Sequence, residues 1–393
     1  QGVLPVDRID RLAAVVAQFH VEAPVAPAEA PAGEAPLVQR QFSDNVADLA
    51  ARLQVPSDRV LLRRLSSRLG SRSTALAPVL QRRKRDGFVR DCHGDLHLGN
   101  VALVDGEVTP FDRITFDESL RWIDVLSDLA FAAMDLQHRG RPDLAARLVN
   151  GYLERTGDYE GLPLLPLYIE YRAMVRAKVA AIRADQCAAD GDTAAHDAAL
   201  ADCRAHLRLA AATAPLPPAL VILHGLSGSG KSTQAAALAQ ALGGIRIRSD
   251  VERKRLHGLR AADRRGAHGA LYSAEAGQRT YDRLAALAEA SLAAGYDTIV
   301  DAAFLRFEQR EPFRALAARR GAAFAILDVV ASEPTLRRRV AARHAGGTDA
   351  SDADLRVLER QLREREPLRA EESENTIACD TDDAAPAGGK RRQ

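Results

Sequence analysis

The chain has 393 residues, enough for two or three domains with real cores. Hydrophobic residues make up 47% and charged residues 27%, the usage of an ordinary soluble globular protein. Lys+Arg number 54 against 53 Asp+Glu, so the overall charge argues against a dedicated nucleic-acid or acidic-membrane binder.

The four cysteines, Cys92, Cys187, Cys203 and Cys379, show no CxxC or Cys/His spacing. That argues against a disulfide framework or a zinc site and fits a reducing, cytoplasmic compartment. There is no apolar run of about eighteen residues and no basic leader with an apolar core, so neither a membrane span nor a signal peptide is expected.

In chain order, "DRIDRLAAVVAQFH" (Asp7–His20) reads as an amphipathic helix. Residue 1 is Gln, which gives the expectation that the chain starts inside a domain. "EAPVAPAEAPAGEAP" (Glu22–Pro36) reads as an irregular connection, and helical patterning is expected to resume near Ser43, a candidate N-cap. Two short apolar runs, Val101–Val104 and Val108–Phe111, flank Asp105-Gly106, a hairpin-turn signal. From Ser127 to about Ala212 nearly every segment has helical spacing. The prolines at 215, 217 and 218 mark a boundary.

Beyond that boundary strands and helices alternate: "LVILHG", "KSTQAAALAQALGG", "IRIRSD", "QRTYDRLAALAEASLAAGY", "DTIVDA", "EQREPFRALAARRG", "AAFAILDVVA", two more helices, then "NTIACD". This rhythm predicts a parallel sheet covered on both faces. The expected domains are 1–212, a Pro-rich linker 213–218, a parallel-sheet domain 219–381 and a disordered tail 382–393.

"GLSGSGKST" (Gly225–Thr233) fits G-x-x-x-x-G-K-S/T, with a strand before it and a helix after it. Gly225, Gly228 and Gly230 allow the tight path that, with Ser227, Ser229 and Thr233, aims backbone N–H groups at phosphate oxygens. Lys231 can reach the β and γ phosphates of ATP, and the Ser232 hydroxyl can coordinate Mg²⁺. The bland reading, a Gly/Ser-rich loop with a chance lysine, does not account for both flanking elements.

Three more clusters fall at strand ends, where parallel sheets place function. Asp250 in "SDVERKRL", ahead of Arg253, could accept or orient the proton of a substrate hydroxyl; alternatively Ser249 or Asp250 only caps a helix. Asp301 in "TIVDAAF" could hold Mg²⁺ through water or touch substrate. "LRRRVAARHAGG" carries Arg337, Arg338, Arg339 and Arg343, which could close over a transferring phosphate or form a solvated basic face. Together "GLSGSGKST", "SDVERKRLHG", "IVDAAFL" and "LRRRVAAR" resemble the small, AAA-type P-loop kinases related to gluconate kinase and to the kinase domain of polynucleotide kinases. The resemblance covers about residues 220–380. It implies ATP-dependent phosphorylation of a hydroxyl, with Asp250 acting on the acceptor and Arg339 and Arg343 in a lid.

Upstream, "HGDLHLGN" (His93–Asn100) puts Asn100 five positions after Asp95, the spacing of a protein-kinase-like catalytic loop. Asp95 would orient the substrate hydroxyl and take its proton, and His97 would lie near the transferring phosphate. Asn100 and Asp112, the latter after the hairpin, would bracket Mg²⁺. Asp124 or Asp128 could brace the loop from the start of a helix. The alternative is a polar turn between two strands. The motif resembles the aminoglycoside phosphotransferase family, whose loop reads HGDxxxxN, and the whole chain resembles bacterial proteins that join such a half to a P-loop kinase half. This implies a mostly helical, protein-kinase-like C-lobe followed by a P-loop α/β domain. The strand-rich lobe that should precede the motif is not seen, so a truncated phosphotransferase half with a weakened ATP site is expected.

The expected function is an ATP- and Mg²⁺-dependent kinase acting on a small hydroxyl compound. Two alternatives stay open: an ATP-hydrolysing switch with the first domain as a binding module, and a polynucleotide 5′-hydroxyl kinase. Balanced charge and 5% aromatic residues count against a nucleic-acid partner.

Overall fold

The computed structural model describes residues 5–212, 217–259, 263, 273–346 and 354–382. The expected linker residues 213–216 and tail residues 383–393 lie outside that set, as does the side chain of Arg343. The chain parts into two compact units, residues 1–152 with 160–214, and residues 153–159 with 215–393. Among the described residues no helix is long and apolar enough to cross a membrane.

The first unit opens with four helices: α1 (Val6–Glu22), α2 (Ala35–Arg52), α3 (Pro56–Ala75) and α4 (Ala77–Arg85). Helix α1 buries Ile9, Leu12, Ala13, Val16, Ala17 and His20, a single stripe of 3.6-residue spacing. Helix α2 starts well before Ser43, against expectation. Pro36 sits in its first turn, where a missing N–H costs nothing, and an apolar stripe at Val38, Phe42 and Leu49 carries the helix onward. Ser43 is satisfied inside the helix by donating its hydroxyl to Arg40 O at 2.9 Å.

Two short antiparallel pairs follow. Strand β1 (Val89–Asp91) pairs with β4 (Trp122–Asp124), and β2 (Val101–Val104) with β3 (Glu107–Pro110). The β2–β3 turn uses Asp105 at φ 51° and Gly106 at φ 82°, the left-handed pair that an Asp-Gly hairpin requires. The expected second strand ends at Pro110, short of Asp112, whose φ of 59° takes the chain out of the extended region. Helix α5 (Val125–His138) buries every residue from Val125 to Leu136. It is followed in the chain by α6 (Pro142–Thr156), and it packs chiefly against α7 (Leu165–Ala189) and also against α8 (Thr193–Ala211).

The second unit is an α/β layer. Its parallel sheet has the order β6-β7-β5-β8-β9, with β5 (Ala219–His224), β6 (Ile245–Arg248), β7 (Thr298–Asp301), β8 (Ala323–Val330) and β9 (Thr376–Asp380). All of β7, and β5 beyond Ala219, is buried, as parallel strands covered on both faces must be. Among the described residues, helices α9 (Lys231–Leu242), α10 (Ser249–Leu256), α11 (Ala274–Ala293), α12 (Phe307–Arg320), α13 (Glu333–Gly346) and α14 (Leu355–Glu364) accompany it. From β5 the chain goes on to β6 on one side, and from its neighbour β8 to β9 on the other. The C-terminal end of β5 is therefore the switch point where such sheets open a crevice.

Candidate functional site

The loop between β5 and α9 occupies that crevice. Gly225 has φ 144°, and a Cβ there would meet Val329 O at 2.3 Å; Gly228 has φ 87°, and a Cβ would meet Leu336 O at 2.9 Å. Only glycine fits this path. Gly225 N donates to Ala303 O at 3.2 Å, tying the loop to the chain after β7. Lys231 begins α9 and donates to Leu226 O at 2.7 Å, so its ammonium folds back over the loop.

A cleft of about 600 Å³ lies above the loop. Ser227, Gly228, Gly230, Lys231, Ser232 and Thr233 line it, and Asp250, Asp301 and Arg339 face it from other elements. Gly225 and Ser229 stand beneath. The Ser229 side chain is 1% exposed, and its hydroxyl finds no hydrogen-bond partner among the described residues.

Asp301 is 5% exposed at the end of β7. Burial pushes its carboxyl above the usual value, against the pull of Arg248, Arg246, a hydrogen bond from Ser232 and Lys231. Its Oδ2 has no hydrogen-bond partner among the described residues. Asp301 Oδ2 faces Arg248 Nε at 3.7 Å as an ion pair without a hydrogen bond, and with the Ser232 hydroxyl on the same cleft it offers the oxygen donors a hard cation prefers, so these residues fit Mg²⁺.

Asp250 is the second residue of α10, whose N-cap position is Arg248 with no side-chain cap bond. The Asp250 carboxylate accepts from Arg253 at 3.0 Å on the cleft wall. Arg339 donates to Gly228 O at 3.4 Å and to Thr381, so it grips the loop from outside. Tyr281, Arg306, Arg360 and Gln361 also line the cleft. Sequence reasoning missed these four, because helix interiors and loop ends carry no motif that marks them.

In the first unit, Asp128 braces the "HGD" turn. Its Oδ2 accepts from His93 N at 3.1 Å and its Oδ1 from Gly94 N at 2.9 Å. Asp124 instead caps α5 and pairs with Arg83 at 2.7 Å. His97 Nδ1 accepts from Gly99 N at 3.0 Å, which leaves Nε2 to carry the proton toward Asp95 Oδ2, 3.4 Å away. Burial raises the Asp95 carboxyl, but the hydrogen bond and charge of His97, with Arg176 and Arg172, hold it below the ordinary value. Asn100 donates through Nδ2 to Asp95 O at 3.0 Å and to Asp95 Oδ2 at 3.2 Å. Its carboxamide oxygen is thereby its acceptor end. Phe111 N donates to Asn100 O at 2.9 Å, and the exposed Asp112 comes next in the chain. Asp95, His97 and Asn100 are thus brought together, and Asp112 follows the residue whose N–H holds the Asn100 carbonyl.

Comparison with known proteins adds to this geometry. Residues 220–368 match the family described as AAA domain. Over 354 residues the chain is 31% identical to "Uncharacterized protein Rv2004c" of Mycobacterium tuberculosis (strain ATCC 25618 / H37Rv), spanning 88% of this chain and 69% of that one. The chain belongs to the family of that mycobacterial protein. "Uncharacterized protein Mb2027c" of Mycobacterium bovis aligns with this family member to the same extent. An alignment over 88% of the chain takes in both units, so family membership is not a matter of the AAA domain alone. Among solved structures, a gluconokinase from Sinorhizobium meliloti 1021 is 23% identical over 44% of this chain and 86% of its own, with a TM-score of 0.31. The Mycobacterium tuberculosis APS kinase CysC, in complex with AMPPNP and APS, is 21% identical over 42% of this chain and 90% of its own, with a TM-score of 0.29. Superpositions this loose carry no argument about the site.

Proposed function

We propose that the second unit is an ATP-dependent kinase that phosphorylates a hydroxyl of a small molecule. The observation that carries the reading is the convergence of Lys231, Ser232 and Asp301 with Asp250 on one cleft at the switch point of the sheet. The match to the AAA domain family supports it. A cleft of about 600 Å³ has the size of a small-ligand site.

In this reading the loop N–H groups and Lys231 bind the phosphates and hold the γ-phosphoryl in line. Asp250 orients the acceptor hydroxyl and takes its proton as the oxygen bonds to the γ-phosphorus. The bond from that phosphorus to the bridging oxygen breaks, and ADP leaves with the electron pair. Ser232 and Asp301 would hold Mg²⁺, which when bound offsets phosphate charge. Arg339 adds positive charge at the rim of the cleft. The first unit contributes a second phosphotransferase-like loop, with Asp95 as base and Asn100 and Asp112 as the residues that would hold a cation. The chain's four free cysteines suit a cytosolic setting.

The test is a phosphorylation screen over a pool of hydroxyl metabolites with wild type and Lys231→Met. Wild type is expected to release ADP in step with phosphorylated acceptor, and the variant to lose about 10²–10³-fold in rate. Undiminished ADP release by the variant would sink the reading. Hydrolysis without acceptor phosphorylation would replace it with an ATP-driven switch.

A further inference from the structure

Three consecutive residues of the phosphate loop are each gripped by a side chain from elsewhere in the second unit. Ser227 N donates to Gln361 Oε1, on α14, at 2.8 Å. Gly228 O accepts from Arg339, on α13, at 3.4 Å. Ser229 O accepts from the hydroxyl of Thr381, the residue after β9, at 2.7 Å. Sequence reading attached no role to Thr381.

Thr381 is the hub of this arrangement. It is 2% exposed. Its N–H donates to Val330 O at 3.0 Å, fixing the residue to the end of β8. Arg339 Nη1 donates to its hydroxyl oxygen at 3.0 Å, and Arg339 Nη2 donates to its carbonyl at 2.6 Å. With the oxygen accepting from a guanidinium, the hydroxyl proton is free to point to a carbonyl. Ser229 O at 2.7 Å is nearer than Val330 O at 3.1 Å.

The consequence follows from peptide planarity. The C=O of Ser229 and the N–H of Gly230 belong to one rigid unit, so turning the carbonyl turns the N–H. Gly230 has φ 94° and no side chain to hold that plane by itself. A Cβ placed on Gly230 would lie 3.6–3.8 Å from the Thr381 side chain, so the two residues are packed against each other. A carbonyl that swung toward the cleft would repel phosphate; one drawn down by Thr381 leaves the opposite N–H directed at it.

We infer that Thr381 is a positioning residue for nucleotide binding: its hydroxyl, oriented by Arg339, sets the direction of the Gly230 N–H in the phosphate loop. This rests on the nucleotide-binding reading above and adds a residue 152 positions beyond Ser229 in the chain.

The experiment titrates a fluorescent ADP analogue against the full chain, as wild type, Thr381→Val and Thr381→Ser, and measures ATP kinetics for each. Valine keeps the shape and removes the hydroxyl; serine keeps the hydroxyl. T381V is expected to bind ADP about tenfold more weakly and to raise KM for ATP by more than it lowers kcat. T381S is expected to return most of the lost affinity. ADP affinity of T381V equal to wild type overturns the inference, whatever its melting point, because a residue with only a structural role lowers stability and leaves the affinity of folded protein unmoved. Failure of T381S to recover affinity also overturns it. If T381V does not fold, Thr381→Cys, with similar volume and a weak donor, carries the same comparison. A wild-type chain that binds no ADP would instead overturn the nucleotide reading itself, a result distinct from equal binding by both forms.

Discussion

Arg248 Nε stands 3.7 Å from Asp301 Oδ2 at the C-terminal end of the central strands, an ion pair in which the buried carboxylate oxygen has no hydrogen-bond partner among the described residues, on the same cleft as Ser232. The raised carboxyl means that the folded protein holds this proton more tightly than the unfolded chain does. Ionised Asp301 therefore costs stability at neutral pH, and the cost disappears as pH falls through the raised value. Asp301→Asn is expected to melt no lower than wild type at pH 8 without ligands, while losing about 10²-fold or more in ATP turnover. Thermal scans and an ADP-release assay on the same sample check both halves. A variant that melts lower and keeps its activity contradicts the assignment.

Arg310 and Glu372 form the second unit's most enclosed ion pair among the described residues, 1% and 3% exposed, with contacts of 2.6 and 2.8 Å. Burial alone would raise the Glu372 carboxyl, but the hydrogen bonds from Arg310 and from the Arg369 backbone hold it below the ordinary value. That stabilisation is present above the unfolded carboxylate pKa and is lost as pH falls through the depressed one. Arg310→Met leaves a buried charge without its partner and should cost about 3–5 kcal/mol in urea unfolding followed through the second unit. It should also flatten the acid limb of the stability profile. A loss under about 1 kcal/mol would show that the pair is dispensable.

Asp128 holds the "HGD" turn through two backbone N–H groups and is itself fully buried. Burial raises its carboxyl, and the hydrogen bond and charge of His20, with Arg172 and His93, bring it below the usual value. Asp128→Ala strands two buried donors, each costing about 1–3 kcal/mol. Amide hydrogen exchange in peptides spanning 92–100 should accelerate, with exchange in the second unit unchanged. Protection at His93 and Gly94 equal to wild type would show that the turn does not depend on this brace.

The two loops are predicted to act independently in a full-chain assay. Asp95→Asn should leave acceptor phosphorylation by the second unit within about twofold of wild type, as expected for loops that belong to separate compact units and share no hydrogen-bond partner among the described residues. Lys231→Met should abolish it. A large loss from D95N would move the chemistry to the first unit.

Much of the second unit was legible because its signals are local. The phosphate loop declares itself through glycines that the backbone path demands at Gly225 and Gly228, and the alternating strands and helices follow from short buried runs between helical spacings. The first unit was less legible. The start of α2 was misplaced because Ser43 looks like a cap, whereas Pro36 and the stripe at Val38 and Phe42 decide the boundary. Strand β1 was missed because three residues carry no periodicity, and only pairing with β4 makes them a strand.

The sequence by itself determined the chemistry available: which residues can cradle phosphate, hold a cation or take a proton, since these depend on side-chain type and short spacing. Tertiary structure alone decided which of them work together. Asp301 comes to share a cleft with Ser232 and to face Arg248 only because β7 pairs between β6 and β5, and Asp128 becomes a brace only because α5 runs beneath the "HGD" turn. Thr381 reaches Ser229 O only because β9 pairs with β8 and delivers it there. Such contacts join residues far apart in the chain, and their partners are fixed by the order of strands in the sheet, which no local pattern encodes.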